Sequence, residues 1–487
     1  VIFRELCKTE SCCLFQAAWK ENEMKKKLSS WFSSPVVIIF LIYVAVACLT
    51  YIIPSGEYVR RLNEATGITE IQGDSFLYVD NQYMNFMDFF RGIHEGFVDA
   101  SDIIFMCFFS CFYIRVINEA GAFDAGIGAL IKRFGANSKY MLPIIIVVVS
   151  LAGYSYGEAE DIYPLIPLFV ATAIKVGYDD VMGVAISGGA VMIGFSASAF
   201  NPYTIGVAQK IAELPLYSGA LLRTSIYVVF IALYIWWVMR YGKKLLLQGA
   251  GGNGFLAANQ EGRNLQKAEA QEFTTKHKFI LLGFMAVVFM MIFGALKFGW
   301  YFTEISALFI IGALGTCVFQ RYSPTKTVQL LLGGMQDILI GATVIGLARG
   351  ILVIMTKALV IDTVVYGLFN AVQMLPRFFF PVGMLIVQTI LNFAIPSGSG
   401  QAATIMPIMV PLADLLNVNR QVGVLAFQMG DGFSNLIWPT AAVSVMCSIA
   451  KVPLQRWYKF FVPFFLILFA LMCVILVMAD WLNYGPF

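Results

Sequence analysis

Acids, amides and hydroxyls recur at four places in this chain where the flanking residues are apolar. Glu158, Glu160 and Asp161 fall in SYGEAED (155–161), and Asp431 falls in GDGFSNLIWP (430–439). Between them stand GFSASAFNP (194–202) and SGSGQAA (397–403). An ionised group at the centre of a spanning helix costs roughly 2.5–3.5 kcal/mol on insertion scales, so its default reading is functional. Ser397, Ser399, Ser434 and Asn435, with Ser155, Ser196 and Asn201 in the other half, offer hydroxyl and amide ligands for a cation and a substrate carboxylate. Gly157, Gly398 and Gly400 leave backbone bare at the same places, and Pro202 and Thr440 complete the site. Asp431 and Glu158 are candidates for cation coordination or proton carriage. Arg349, about twelve residues into an apolar helix read as starting near Ile338, would pair with a substrate anion or one of these acids; a purely structural ion pair is the equal alternative. Arg115, near a helix end, is expected to reach the interface.

Other chemistry fades. His94 and His277 are read in or near loops, and no metal cluster or Ser–His dyad is apparent. Gly249–Gly254 matches GxGxxG by letter, but it follows a membrane helix and no βαβ pattern surrounds it, so it reads as linker. Asp179 and Asp431 superficially match the two aspartates of an intramembrane aspartyl protease, a reading that leaves the repeat described below unexplained.

These residues need elements to hold them. The 487 residues are 59% hydrophobic and 13% charged, with net charge +3 and mean hydropathy +0.76. Soluble domains carry about 25% charged residues. Apolar runs at 35–53, 103–116, 227–239, 280–296 and 460–479 approach or match the ~20 residues that span a bilayer. The fold class is therefore an all-α polytopic membrane protein. No basic face with interleaved aromatics suggests nucleic acid. Of nine cysteines six lie in apolar segments, so no disulfide framework is expected. Met24 before three lysines suggests that residues 1–23 lie upstream of the true start, and no cleavable signal peptide is seen.

Lys and Arg set the orientation. Lys25–Lys27 places the N-terminal segment 1–34 in the cytoplasm. Then follow a first helix (35–54), an extracytoplasmic loop (55–95), a first repeat (96–240), a cytoplasmic linker (241–278), a scaffold helical hairpin (279–332) and a second repeat (333–487), with the C-terminus extracytoplasmic. One constant spacing matches Gly96 with Gly334, Asp99 with Asp337, Asp124 with Asp362, Pro143 with Pro381, and Gly194-Phe195-Ser196 with Gly432-Phe433-Ser434. An odd number of crossings separates the halves, so the repeats are inverted. Each carries a re-entrant helical hairpin (141–177, tip Ser155–Asp161; 381–417, tip Ser397–Gln401) and a broken transmembrane helix (181–208, 421–446). Broken helices survive in hydrocarbon only where protein or a wet cavity covers them, and their ends then offer amides and carbonyls to ions and carboxylates.

The run SGSGQAATIMPIMVPLADLLNVNRQVGVLAFQMGDGFSNLIWPT resembles the C-terminal hairpin and broken helix of the YfcC family, which belongs with the DcuC-type C4-dicarboxylate carriers of the ion transporter superfamily. The similarity runs from about residue 30 onward. The family's first-repeat motif has two adjacent glutamates; here Ala159 follows Glu158, and the next acids are Glu160 and Asp161. The resemblance implies a homodimer in a bacterial inner membrane, with hairpins and broken helices moving as a transport domain against a scaffold. It also implies coupling to Na⁺ or H⁺, or exchange, with no other cofactor. The expected function is secondary active transport of a small carboxylate or amino acid; a passive channel for a small anion is the alternative, and only coupling separates the two.

Overall fold

A computed structural model describes residues 35–63, 68–72, 75–123, 125, 126, 129, 141–155, 157, 159–251, 273–298, 300 and 302–485. The segment 1–34, with the question of residues 1–23, together with Glu158, Asp124 and the linker centre 252–272, lies outside the described residues.

Helix α1 (Pro35–Leu49) is followed by two small antiparallel pairings, β1 (Gly56–Glu57) with β4 (Leu77–Tyr78) and β2 (Arg60–Asn63) with β3 (Ile68–Ile71). The first helix is thus shorter than 35–54, and a turn precedes Pro54. The loop does not reach residue 95. Asn85 and Asp88 form a capping box that starts α2 (Phe86–Asp99), an amphipathic helix whose Asp88, Arg91, His94 and Glu95 hide it from a search for apolar runs. His94 is therefore helical. After Ala100 comes α3 (Ser101–Glu119).

The first hairpin is α4 (Met141–Ser155), a 3-10 turn (Glu160–Leu165) and α5 (Ile166–Lys175). Gly157 turns the chain at φ +80, in the left-handed region that glycine tolerates. Helix α6 (Asp180–Ser196) carries a π-helical turn at Ala185–Gly189. The chain then crosses Ala197–Asn201 and a second π turn (Pro202–Gly206) into α7 (Val207–Ile211). Helix α8 (Ala220–Gly251) extends through Tyr241–Gly251, so the linker begins later than residue 241.

Helices α9 (Thr275–Phe298), which includes His277, and α10 (Phe302–Phe319) form a hairpin before α11 (Pro324–Lys357). Ser323 accepts the amide of Lys326 and Pro324 takes the first helical position, so α11 starts well before Ile338 and the division at 332 falls inside it. Then come α12 (Ile361–Gln373), α13 (Phe380–Ala394), α14 (Gly398–Leu415), α15 (Arg420–Ser434), α16 (Ala442–Ile449) and α17 (Leu454–Trp481). Among the described residues, six helices are long and apolar enough to cross a membrane.

The ends of these elements keep the register that relates Gly96 to Gly334. At that spacing Phe86, which starts α2, matches Pro324, which starts α11; Glu119, which ends α3, matches Lys357, which ends α11. Ser196 and Ser434 end α6 and α15, and Ile211 and Ile449 end α7 and α16, in the same register. Helices α1, α2 and α3 pack on α11, and α10 packs on α3, forming one layer. The broken helices and hairpins form the other: α4 on α6, α13 on α15, α14 on α7 and α15. The two meet where α11 packs on α16 and α3 packs on the 3-10 turn.

Candidate functional site

Between these layers lies a cavity of about 310 Å³. One wall is Asp99, Ala100, Asp102 and Ile103 at the α2–α3 junction, with Phe302 of α10 and Ile345, Ala348 and Arg349 of α11. The other wall is made by the breaks of both halves, including Gly157 and Glu160 from the first hairpin and Ser397–Ser399 from the second. Tyr203 and Thr204 follow the α6 break, and Asn435 and Thr440 lie in the α15–α16 break.

Of the residues singled out by sequence, Gly157, Glu160, Arg349, Ser397, Gly398, Ser399, Asn435 and Thr440 line this cavity. Ser397 caps α14 by accepting the Gly400 amide, so Gly398–Gly400 form the first turn of a helix whose N-terminus opens on the cavity. An N-terminus of this kind presents unpaired amides and positive dipole charge to an anion. Asn435 Nδ2 donates to the Asp431 carbonyl at 2.9 Å, and Thr440 donates to the Phe393 carbonyl at 2.8 Å.

The others are behind the wall or spoken for. Ser155, the last residue of α4, is exposed and donates to the Ala152 carbonyl. Ser196 and Ser434 are buried and bond back to the Met192 and Gly430 carbonyls, each at 2.6 Å, so their hydroxyls serve the helices in which they sit. Asn201 caps the π turn by accepting the amides of Tyr203 and Thr204, its side chain pressed against Gly157, and Pro202 starts that turn. Asp431 lies in the last turn of α15 rather than in the break, fully buried, and neither carboxylate oxygen has a hydrogen-bond partner among the described residues. Thr204 is buried behind the same glycine: a Cβ on Gly398 would meet Thr204 Cγ2 at 2.5 Å and Asp431 Oδ2 at 3.2 Å. Thr204 Oγ1 is also unpartnered there. A buried carboxylate without donors persists only if a proton or a cation neutralises it.

Sequence reading missed the two acids of the α2–α3 wall, Asp99 and Asp102. The Nε of Arg349 donates to the Asp99 carboxylate, not to an acid of the breaks. Asp102 and Glu160 line the cavity with no ion-pair partner among the described residues, and Glu160 is within electrostatic reach of both Arg349 and Asp431. Arg115 pairs with Asp337 at 2.5 Å, and Lys451 approaches the same acid at 3.7 Å. Asp179 is bound to Tyr241 at 2.7 Å and Arg456 at 3.0 Å, and shares no partner with Asp431, so no aspartate dyad forms. No group of three or more His, Cys, Asp or Glu able to hold a metal occurs among the described residues.

A relative from Escherichia coli K12 bearing the name "Putative basic amino acid antiporter YfcC" is 28% identical over 494 residues, 92% of this chain and 96% of its own. An uncharacterized protein of Haemophilus influenzae is 26% identical over 90% of this chain and 95% of its own. Two solved transporters, YdaH of Alcanivorax borkumensis and MtrF of Neisseria gonorrhoeae, cover 93% of this chain and 99% and 97% of their own. They do so at 13% and 14% identity and a TM-score of 0.42, too distant to bear on the site. The model of the DcuC family, the C4-dicarboxylate anaerobic carriers, matches residues 32–480, and the chain, a multi-pass membrane protein, belongs to that family.

Proposed function

We propose that this chain is a secondary active transporter for a small amino acid with a cationic side chain, working by exchange or with a coupling Na⁺ or H⁺. The observation that carries this reading is the charge of the cavity. Among the described residues Asp99, Asp102 and Glu160 line it against Arg349 alone, and Asp99 already balances Arg349. The unpaired acids attract an ammonium or guanidinium group. The substrate carboxylate has the α14 N-terminus and the far edge of Arg349, both donors suited to it. The name of the Escherichia coli relative agrees with this class.

Two inverted-topology repeats, each with a re-entrant hairpin and a broken helix, explain why the element ends recur at one constant spacing. The layer of α1, α2, α3, α10 and α11 acts as scaffold, and the layer of broken helices moves past it carrying the substrate in an elevator-type cycle. Buried Asp431, behind the second hairpin tip, is the coupling residue: it takes up the driving proton or cation. The protein sits in the inner membrane as a homodimer, N-terminus cytoplasmic and C-terminus extracytoplasmic.

A second reading, a small dicarboxylate, is favoured by the same donors, Arg349 and the α14 N-terminus, and by the description of the family. Proteoliposomes loaded with unlabelled ornithine or arginine decide between them. Accumulation of external labelled ornithine against its gradient, unaffected by excess succinate, is expected. Counterflow of succinate in place of ornithine would overturn the cationic reading, and equilibration without accumulation would establish a passive channel.

A further inference from the structure

Arg349 is 32% exposed and Asp99 50% exposed in the cavity wall. Among the described residues Arg349 makes a single hydrogen bond, from Nε to Asp99, and its two terminal nitrogens have no protein partner. One edge of the guanidinium is therefore fixed, and the terminal nitrogens remain available for a carboxylate. We infer that Asp99 is the specificity-determining residue of the cavity: it positions Arg349 to take one carboxylate while cancelling the charge that would attract a second. This rests on the reading of the cavity as the substrate site.

The physical argument is one of difference. With Asp99 ionised, a dianion meets one neutralised arginine and the two unpaired acids Asp102 and Glu160, so its second carboxylate is repelled. An amino acid with a cationic side chain places its carboxylate on Arg349 and its positive end among those acids. Selectivity built this way is achieved as much by rejecting the wrong ligand as by holding the right one. The counterpart pair supplies the contrast. Asp337 is the register mate of Asp99 and likewise pairs with an arginine of the other half, Arg115, but neither residue lines the cavity. An ion pair alone thus meets the need to neutralise an arginine in these helices; the pair at Asp99 does so in front of the substrate.

The test is binding of L-ornithine and of succinate to purified full-length protein, wild type and Asp99→Asn, by calorimetry. The ratio of the two affinities should move at least tenfold toward succinate in Asp99→Asn, because Arg349 regains its full charge. Asp99→Glu, which keeps the carboxylate, should hold the wild-type ratio. Arg349→Gln, which keeps Asp99 and removes the cation, should weaken succinate more than ornithine, so the proposal stays testable if Asp99→Asn is unstable. An unchanged ratio in folded Asp99→Asn, or an equal shift in Asp99→Glu, would overturn the role of Asp99. Wild-type preference for succinate would instead sink the cationic reading, while the direction of the Asp99→Asn shift would still judge the role of Asp99.

Discussion

Gly398 offers the sharpest test of the second hairpin tip. A Cβ there would stand 2.5 Å from Thr204 Cγ2 and 3.2 Å from Asp431 Oδ2. Carbon atoms pack at about 3.5–4.0 Å, so Gly398→Ala drives the tip and the π turn apart by roughly 1 Å. Thr204 is β-branched and 1% exposed, with little room to rotate away. Overpacking of this kind costs about 1–3 kcal/mol. If the strain is relieved by tilting the tip into the cavity, substrate affinity falls by about 5- to 150-fold. Calorimetric titration of the best ligand, alongside thermal unfolding of the free protein, separates a loss of affinity from a loss of stability. Thr204→Ser removes the clashing methyl and keeps the hydroxyl, so the double variant Gly398→Ala/Thr204→Ser should recover most of the affinity. Wild-type affinity and thermal stability in Gly398→Ala, or no recovery in the double variant, would refute the view that these two residues define the wall.

Two further outcomes follow from the same geometry. Asp431→Asn keeps the shape of a buried side chain and removes its charge, so ligand binding should survive while gradient-driven accumulation in proteoliposomes is lost. Accumulation that still follows the Na⁺ or pH gradient in this variant would exclude Asp431 as the coupling residue. Gly334→Ala places a Cβ 2.6 Å from the Phe112 nitrogen and 2.7 Å from its Cα, both backbone atoms that cannot turn aside, so scaffold stability should fall by about 1–3 kcal/mol in thermal unfolding. Gly315→Ala, with nothing within 4 Å, should leave the midpoint unchanged or raise it.

How much of this was legible in the sequence depends on what each feature is made of. The breaks were legible because glycine, proline and serine inside apolar runs act locally: Gly157 at φ +80 and the Ser397 cap need no distant partner to be recognised. The register was legible for a related reason. Gly96 and Gly334 recur because α11 lies against α2 and α3 too closely for any side chain, a Cβ on Gly96 meeting the Gly350 Cα at 2.5 Å. Helix α2 was missed because Asp88, Arg91, His94 and Glu95 interrupt its apolar residues, so no unbroken apolar run marks it. Thr204 carried no signal at all, since an unsatisfied buried hydroxyl is a property of its neighbours rather than of its own stretch of chain.

The ion pairs are the instructive failure. Arg349 and Asp99 lie 250 residues apart, and Arg115 and Asp337 lie 222 apart, so neither pair shows in any local pattern. Yet the acids are register mates, and each bonds an arginine of the opposite half. An internal repeat that presents an acid twice, with an arginine on each facing helix, already implies crosswise pairing, because an isolated charge in hydrocarbon costs more than a matched one. What no register can supply is the difference between the two pairs. Lys451, just after α16, reaches Asp337 at 3.7 Å, so the layer of broken helices touches the scaffold there, whereas a cavity separates the layers at Asp99. Unequal surroundings at equivalent positions are what the proposed carrier of inverted halves requires when it is open on one side, and the role proposed for Asp99 rests on that difference.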